Sequence, residues 1–157
     1  MRVAVAADHG GFSLKERVLT EVEAAGHSPL DFGGTGDVDD DYPVYVRLVG
    51  DALNSGRADR GILICGIGVG ASFAACKIPG IRAAVCHDTY SAHQGVEHDD
   101  MNVLCMGGRV VGPELAAELT RAFLAAQFTP LDRYVRRLAE VDAIERDFHT
   151  AQEVRHG

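Results

Sequence analysis

The stretch Ile62-Leu63-Ile64-Cys65-Gly66-Ile67-Gly68-Val69-Gly70-Ala71-Ser72 constrains the fold of this chain more than any other. Its apolar run shows no alternation with polar residues, as expected of a strand covered on both faces. The run ends at a cysteine, passes through alternating glycines, and continues as helix-compatible residues over 71–77. The pattern is a strand, a tight turn and a helix N-terminus. Glycines in such a turn let bare backbone approach a ligand, and the first N–H groups of a helix attract an oxyanion or phosphate. A thiol at the carboxyl end of the strand faces the same space, where ligands of open α/β sheets bind. The pattern equally describes a buried cysteine before a flexible turn, and a short glycine motif alone leaves both readings open.

The same alternation recurs along the chain. Residues 2–7 are an apolar run ending in Asp8-His9-Gly10-Gly11. Over 12–25, Phe12, Leu14, Val18, Leu19 and Val22 fall at helical spacing, with Lys15, Glu16, Arg17, Glu21 and Glu23 mostly off that stripe. Ser13 and Glu16 form a candidate capping box. A short strand is expected at 29–32 and a helix at 43–54, with Pro43 near its start. The central strand and glycine turn occupy 61–70. Further strands are expected at 81–86 and 103–106, and further helices at 91–97, 113–127 and 130–154. This order predicts an α/β fold: a Rossmann-like three-layer sandwich, with a five-stranded parallel sheet and helices on both faces. A single domain over 1–157 is expected, since 157 residues at 46% hydrophobic composition suit one core.

A net charge of -8 argues against nucleic-acid or anionic-membrane partners. No apolar segment is long enough to span a bilayer, and no secretory signal is visible, so a cytoplasmic location is expected. Cys65, Cys76, Cys86 and Cys105 form no Cys-x-x-Cys pair and read as reduced thiols, three of them in the core. The acidic loop 33–41, with Asp37, Asp39, Asp40 and Asp41, does not match an EF-hand and reads as solvated. The seven histidines contain no His-Glu-x-x-His. Neither a metal nor a cofactor is expected.

Each strand end carries a group capable of chemistry: Asp8-His9, Cys65 with its glycines, His87-Asp88, and Gly108-Arg109. In a parallel sheet these ends share one edge and can converge. Singly, each has a plainer reading, as a turn-fixing aspartate, a loop histidine or a surface arginine. Arg133, Arg136 and Arg137 include an i, i+4 pair, 133 and 137, on one helix face. Such a pair can grip a phosphate by fork geometry, or it can be a solvated face balancing an acidic protein.

Taken in order, these blocks resemble the ribose-5-phosphate isomerase B family, which includes galactose-6-phosphate isomerase subunits. The resemblance runs from residue 3 to about 145. It rests on Asp8-His9-Gly10-Gly11-Phe12-x-x-Lys15, Asp41-Tyr42-Pro43, Cys65-Gly66-x-Gly68-x-Gly70 and Lys77-x-x-Gly80-Ile81-Arg82-Ala83. It continues through Tyr90-Ser91-Ala92, His98-x-x-x-Asn102-Val103-Leu104, Gly108-Arg109-Val110-Val111-Gly112 and the Arg133/Arg137 pair.

The resemblance implies a metal-independent aldose–ketose isomerase of a phosphorylated sugar, foremost ribose 5-phosphate to ribulose 5-phosphate, in the pentose phosphate pathway. It implies a homodimer, with a tetramer as a further option, and a site shared between subunits. In the same light Cys65 matches the base, with backbone N–H groups of Gly66, Ile67, Gly68, Val69 and Gly70 holding the enediolate. His98 matches the residue that opens the sugar ring. Asp8 matches a substrate-hydroxyl contact, Tyr42 a site-lining position, and His9, Arg109, Arg133 and Arg137 the phosphate-binding set. The C-terminal helix, about 130–154, is expected at the dimer interface.

The chain departs from the family pattern at Ile67, where threonine or serine is usual, at Asp99, where asparagine is common, and at Cys76, where asparagine often precedes the lysine. Isoleucine cannot donate a hydrogen bond, and one lost transition-state donor costs on the order of a hundredfold in rate. Two alternatives follow: an isomerase of another tetrose, pentose or hexose phosphate, or a non-catalytic sugar-phosphate binder. A nucleotide-binding module is disfavoured, because the first strand leads into Asp-His-Gly-Gly and no Walker lysine follows the central loop.

Overall fold

The structure, a computed structural model, describes residues 1–37 and 41–156, without the side chains of 149–156. Asp39 and Asp40 of the acidic loop lie outside the described residues. Strands and helices alternate: β1 (Arg2–Ala7), α1 (Phe12–Ala24), β2 (Ser28–Asp31), α2 (Tyr42–Asn54), β3 (Arg60–Cys65) and α3 (Val69–Ala75). Then follow β4 (Ala83–Val85), α4 (Thr89–Asp99), β5 (Val103–Gly107), α5 (Pro113–Ala125) and α6 (Asp132–His156). The five strands form one sheet in the order β2-β1-β3-β5-β4, and every pairing is parallel. This is the expected Rossmann-like sandwich.

The missing polar alternation in the strands has a direct cause. Val3, Val5, Ile62, Ile64, Leu104 and Met106 pack into a core with α1, α4 and α5. Their neighbours Ala4, Ala6, Leu63, Cys65, Val103 and Cys105 pack on the other face with α2 and α3. Both faces of β1, β3 and β5 are therefore dry. Arg60, at the start of β3, closes the end of α5: its Nη2 donates to the Ala126 carbonyl at 2.7 Å and its Nη1 to that of Phe123.

Several local expectations are corrected. The 81–86 strand is only Ala83–Val85, a half-buried edge strand paired to β5 alone. With ladder bonds on one side only, its flanks leave the sheet. The capping box at Ser13 and Glu16 does not form. The helix begins two residues earlier, with Gly11 as N-cap and no side-chain cap bond. Asp8 organises that turn instead, its Oδ1 accepting from Gly10 N at 2.8 Å and Gly11 N at 3.1 Å.

Lys15 and Glu21, expected off the apolar stripe, are buried and paired. Lys15 Nζ reaches Asp31 at 2.9 Å and the Gly33 carbonyl, tying α1 to the end of β2. Glu21 joins α1 to α5, accepting from Arg121 and from Arg17, each at 2.7 Å. The Arg121 hydrogen bond, with Arg17 behind it, holds the Glu21 carboxyl below its ordinary value of 4.5. A depressed carboxyl contributes stability above its unfolded value and loses it as pH falls through the folded one. Glu21→Gln should therefore lower unfolding stability at neutral pH by about 1–3 kcal/mol. It should also flatten the acid limb of the stability curve below the ordinary carboxylate range, read by urea unfolding at a series of pH values.

Candidate active site

The first group of site residues stands at the carboxyl edge of the sheet, where the turns after β1, β3 and β5 interlock through backbone. Asp8 N donates to Ile64 O at 3.1 Å, Gly108 N to Cys65 O at 2.8 Å, and Arg109 N to Gly66 O at 3.0 Å. There is no room for side chains between them. A Cβ on Gly10 would lie 2.8 Å from Gly66 Cα, and one on Gly108 would lie 2.5 Å from Gly10 O. Asp8, Gly66 and Arg109 are thus brought together, the Arg109 guanidinium lying 3.7 Å from where a Gly66 Cβ would be. His9 is exposed on the same turn as Asp8. Tyr42, the first residue of α2, lays its ring against Gly70.

Cys65 ends β3, facing Gly107 of β5, and is buried. The chain then turns through Gly68, whose φ of 80° lies in the left-handed region that glycine adopts without a Cβ clash. That turn aims the Gly68 N–H at the Cys65 sulfur, at 3.1 Å. The amide supplies a hydrogen bond that a sulfur carrying negative charge accepts. The other buried thiols are unsuited to such a role. Burial, with the Asp88 charge adding to it, pushes Cys86 up to about 11, and burial holds Cys105 well above the ordinary thiol range. Cys76 is exposed.

Ile67 and Val69 project from this loop, with Phe73 on α3 and Val110 after β5. Each of the four is between 50% and 57% exposed. His87, one of the strand-end groups that the sequence singles out, belongs to this edge as well. Its Nε2 accepts from Gly107 N at 3.0 Å, so neutral His87 carries its proton on Nδ1.

His98, Asp99, Arg133 and Arg137 are not at this edge. The helix α4 starts beside the carboxyl ends of the strands, where Asp88 caps it by accepting from Ser91 N, and its 11 residues run back along the sheet, about 16 Å. Asn102, four residues after His98, accepts from Gly61 N at the amino end of β3. His98 therefore lies at the opposite end of the sheet from Cys65. There Tyr134 of α6 meets it, with Tyr134 Oη 2.8 Å from His98 Nε2, and Arg133 Nη2 donates to the same oxygen at 2.6 Å. Tyr134 is absent from the residues picked out by sequence, because nothing in its spacing announces a contact with a residue 36 positions away.

Asp99 and Arg137 line a groove of about 690 Å³ between α6 and the β4 side of the sheet, walled by Ile81, Ala83, Met101, Leu138, Val141 and Phe148. The residues singled out by sequence thus fall into two groups. One holds the thiol, the glycine loop, Asp8, His9, Tyr42 and Arg109; the other holds His98, Asp99, Arg133 and Arg137.

Known proteins share this fold and part of this sequence. The family model described as Ribose/Galactose Isomerase matches residues 3–141. Ribose-5-phosphate isomerase B of Escherichia coli is 43% identical over 145 residues, covering 92% of this chain and 97% of its own length. D-erythrulose-4-phosphate isomerase 2 of Mycolicibacterium smegmatis is 36% identical over 148 residues, with 92% and 97% covered. Among solved structures, ribose-5-phosphate isomerase B of Clostridium thermocellum superimposes with a TM-score of 0.90 at 41% identity, over 94% of this chain and 99% of that one. The chain belongs to the ribose/galactose isomerase family and is, like these relatives, a sugar-phosphate isomerase.

Proposed function

We propose that this protein interconverts ribose 5-phosphate and ribulose 5-phosphate in the cytoplasm, without a metal, through an enediolate, with Cys65 as the base. The observation that carries the reading is the Gly68 amide aimed at the Cys65 sulfur beside a loop of backbone donors. Isomerisation requires a proton to leave C2 of the open-chain aldose and to arrive at C1. A thiolate takes and returns that proton. The developing charge falls on the C1 and C2 oxygens, and the proposed donors to it are the amides of the 66–70 loop other than Gly68, whose N–H is taken by the sulfur. Asp8 is within the same edge to orient a hydroxyl, and its carboxylate is itself fixed by two turn amides. Tyr42 packs the far side of the loop and keeps its backbone in place.

Ribose 5-phosphate exists mainly as a closed furanose, so the ring must open first. His98 is the proposed acid–base group for that step, and His9, Arg109, Arg133 and Arg137 hold the phosphate. His98 and Cys65 lie at opposite ends of one chain's sheet, so the proposed working unit is at least a homodimer in which each site takes its two halves from two copies. The half-exposed Ile67, Val69, Phe73 and Val110 around the thiol edge support this, as does the apolar groove holding Asp99 and Arg137. Apolar surface gathered in this way marks a contact face.

A second reading keeps the chemistry and shortens the sugar. Ile67 places methyl groups and no side-chain donor in the proposed catalytic loop, and two relatives are named as erythrulose-4-phosphate isomerases. A substrate with one carbon fewer has one hydroxyl fewer to satisfy.

With a chelator present, the protein should isomerise ribose 5-phosphate at an undiminished rate, and Cys65→Ala should lose at least ~10³-fold in kcat while keeping its fold by circular dichroism, since the base is removed outright. A Cys65→Ala variant with full activity overturns the assignment. In a panel of tetrose, pentose and hexose phosphates, the highest kcat/KM should fall on ribose 5-phosphate; a higher value on a tetrose phosphate favours the second reading.

A further inference from the structure

The contact between His98, Tyr134 and Arg133 sets the direction of a hydrogen bond. Tyr134 is 4% exposed and stacks on the His98 ring, with centroids 4.1 Å apart and planes inclined at 22°. Its Oη lies 2.8 Å from His98 Nε2. Arg133 Nη2 donates to that Oη at 2.6 Å, and its guanidinium carbon sits 4.6 Å from the tyrosine ring centroid. A guanidinium has donors only, so the phenol oxygen is the acceptor in that bond. The phenol's own proton then needs an acceptor. Among the described residues, His98 Nε2 is the one that Tyr134 Oη meets.

We infer that Tyr134 is a positioning residue for His98. It donates its hydroxyl proton to Nε2, which fixes the imidazole plane and keeps neutral His98 as the tautomer protonated on Nδ1. Nδ1 is then the nitrogen that presents a proton to the sugar, and Nε2 is occupied by protein. Arg133 is the residue that turns the hydroxyl toward His98. Because the guanidinium has five N–H donors and spends one on Tyr134, the others remain for an anion. The group that grips a phosphate and the group that opens the ring then form one hydrogen-bonded unit, held at a set distance by the α4–α6 contact. The catalytic consequence rests on the ring-opening role proposed for His98; the tautomer does not.

The first test is therefore spectroscopic and needs no substrate. With histidine nitrogens labelled, neutral His98 in the intact protein should show the Nδ1–H tautomer, and Tyr134→Phe, which keeps the ring and the stacking, should move it toward Nε2–H. A wild-type Nε2–H tautomer, or an unchanged tautomer in Tyr134→Phe, overturns the inference.

The second test separates ring opening from isomerisation. Ribulose 5-phosphate cannot close a five-membered ring, because the oxygen that would close it carries the phosphate, whereas ribose 5-phosphate must be opened. Tyr134→Phe should lower kcat/KM for ribose 5-phosphate by roughly tenfold, a part of what a positioned acid–base group contributes, and should lower clearly less the rate at which C1 of ribulose 5-phosphate takes up deuterium from heavy water, which needs the base and no ring opening. On a His98→Gln background the same change should add nothing. Equal losses in isomerisation and in C1 exchange, or an additive loss on that background, contradict positioning through His98. If His98→Gln itself slows C1 exchange as much as it slows isomerisation of ribose 5-phosphate, the ring-opening role fails, and the tautomer measurement still decides what Tyr134 does.

Discussion

Three chain turns meet at the carboxyl edge of the sheet with only backbone between them, and the site depends on that contact. The amides of Asp8, Gly108 and Arg109 donate to the carbonyls of Ile64, Cys65 and Gly66, and no Cβ fits on Gly10 against Gly66 or on Gly108 against Gly10. Such packing makes the position of the Cys65 loop a property of the sheet itself. The strands deliver Cys65 and Gly107 in register, the turns lock, and the loop after Cys65 has one way to go, through the left-handed Gly68. The amide that reaches the sulfur is a result of that route. A buried thiol that would otherwise be another core residue, like Cys86 or Cys105, becomes one with a donor against it.

A second constraint comes from topology. In a parallel sheet every crossover must carry the chain back to the amino edge, and α4 does so between β4 and β5. A residue at the end of that helix cannot share an edge with a residue at the end of β3. His98 is stationed at the amino edge, where Tyr134 and Arg133 of α6 hold it. Arg82 and Asp100 brace the same corner, with Arg82 Nη2 2.6 Å from the Asp100 carboxylate. The two groups of residues are each well organised and are kept apart by the fold that organises them. Both are flanked by exposed apolar side chains or an apolar groove, which is what a surface completed by another copy of the chain needs.

What was legible in the sequence follows from the range of the interactions involved. The sheet, its doubly covered strands and the turn after Cys65 are local patterns, and they appear as read. Asp8 as a turn-fixing residue was one of the plain alternatives, and its carboxylate does fix the turn, alongside whatever it does for a substrate. Ser13 misled because a capping box is a short motif, whereas the helix start was decided by Asp8 upstream. Lys15 and Glu21 looked like solvent-facing charges because their partners, Asp31 and Arg121, are distant in sequence. The convergence of strand ends was foreseeable from topology for Asp8, Cys65, His87 and Arg109. The spacing of Arg133 and Arg137 left a phosphate grip and a solvated face both open, His98 could be linked to chemistry only through the family pattern, and Tyr134 not at all.

The central claim is that one functional site is assembled from the thiol edge of one copy and the histidine end of another. It is tested by unfolding together, refolding and assaying a mixture of two separately and strongly impaired variants, Cys65→Ala and His98→Gln, with ribose 5-phosphate as substrate. If the halves come from two copies, random pairing in a two-fold dimer restores about a quarter of the wild-type activity, because half of the dimers are mixed and each mixed dimer holds one intact site. A mixture that stays as inactive as its components would contradict the account.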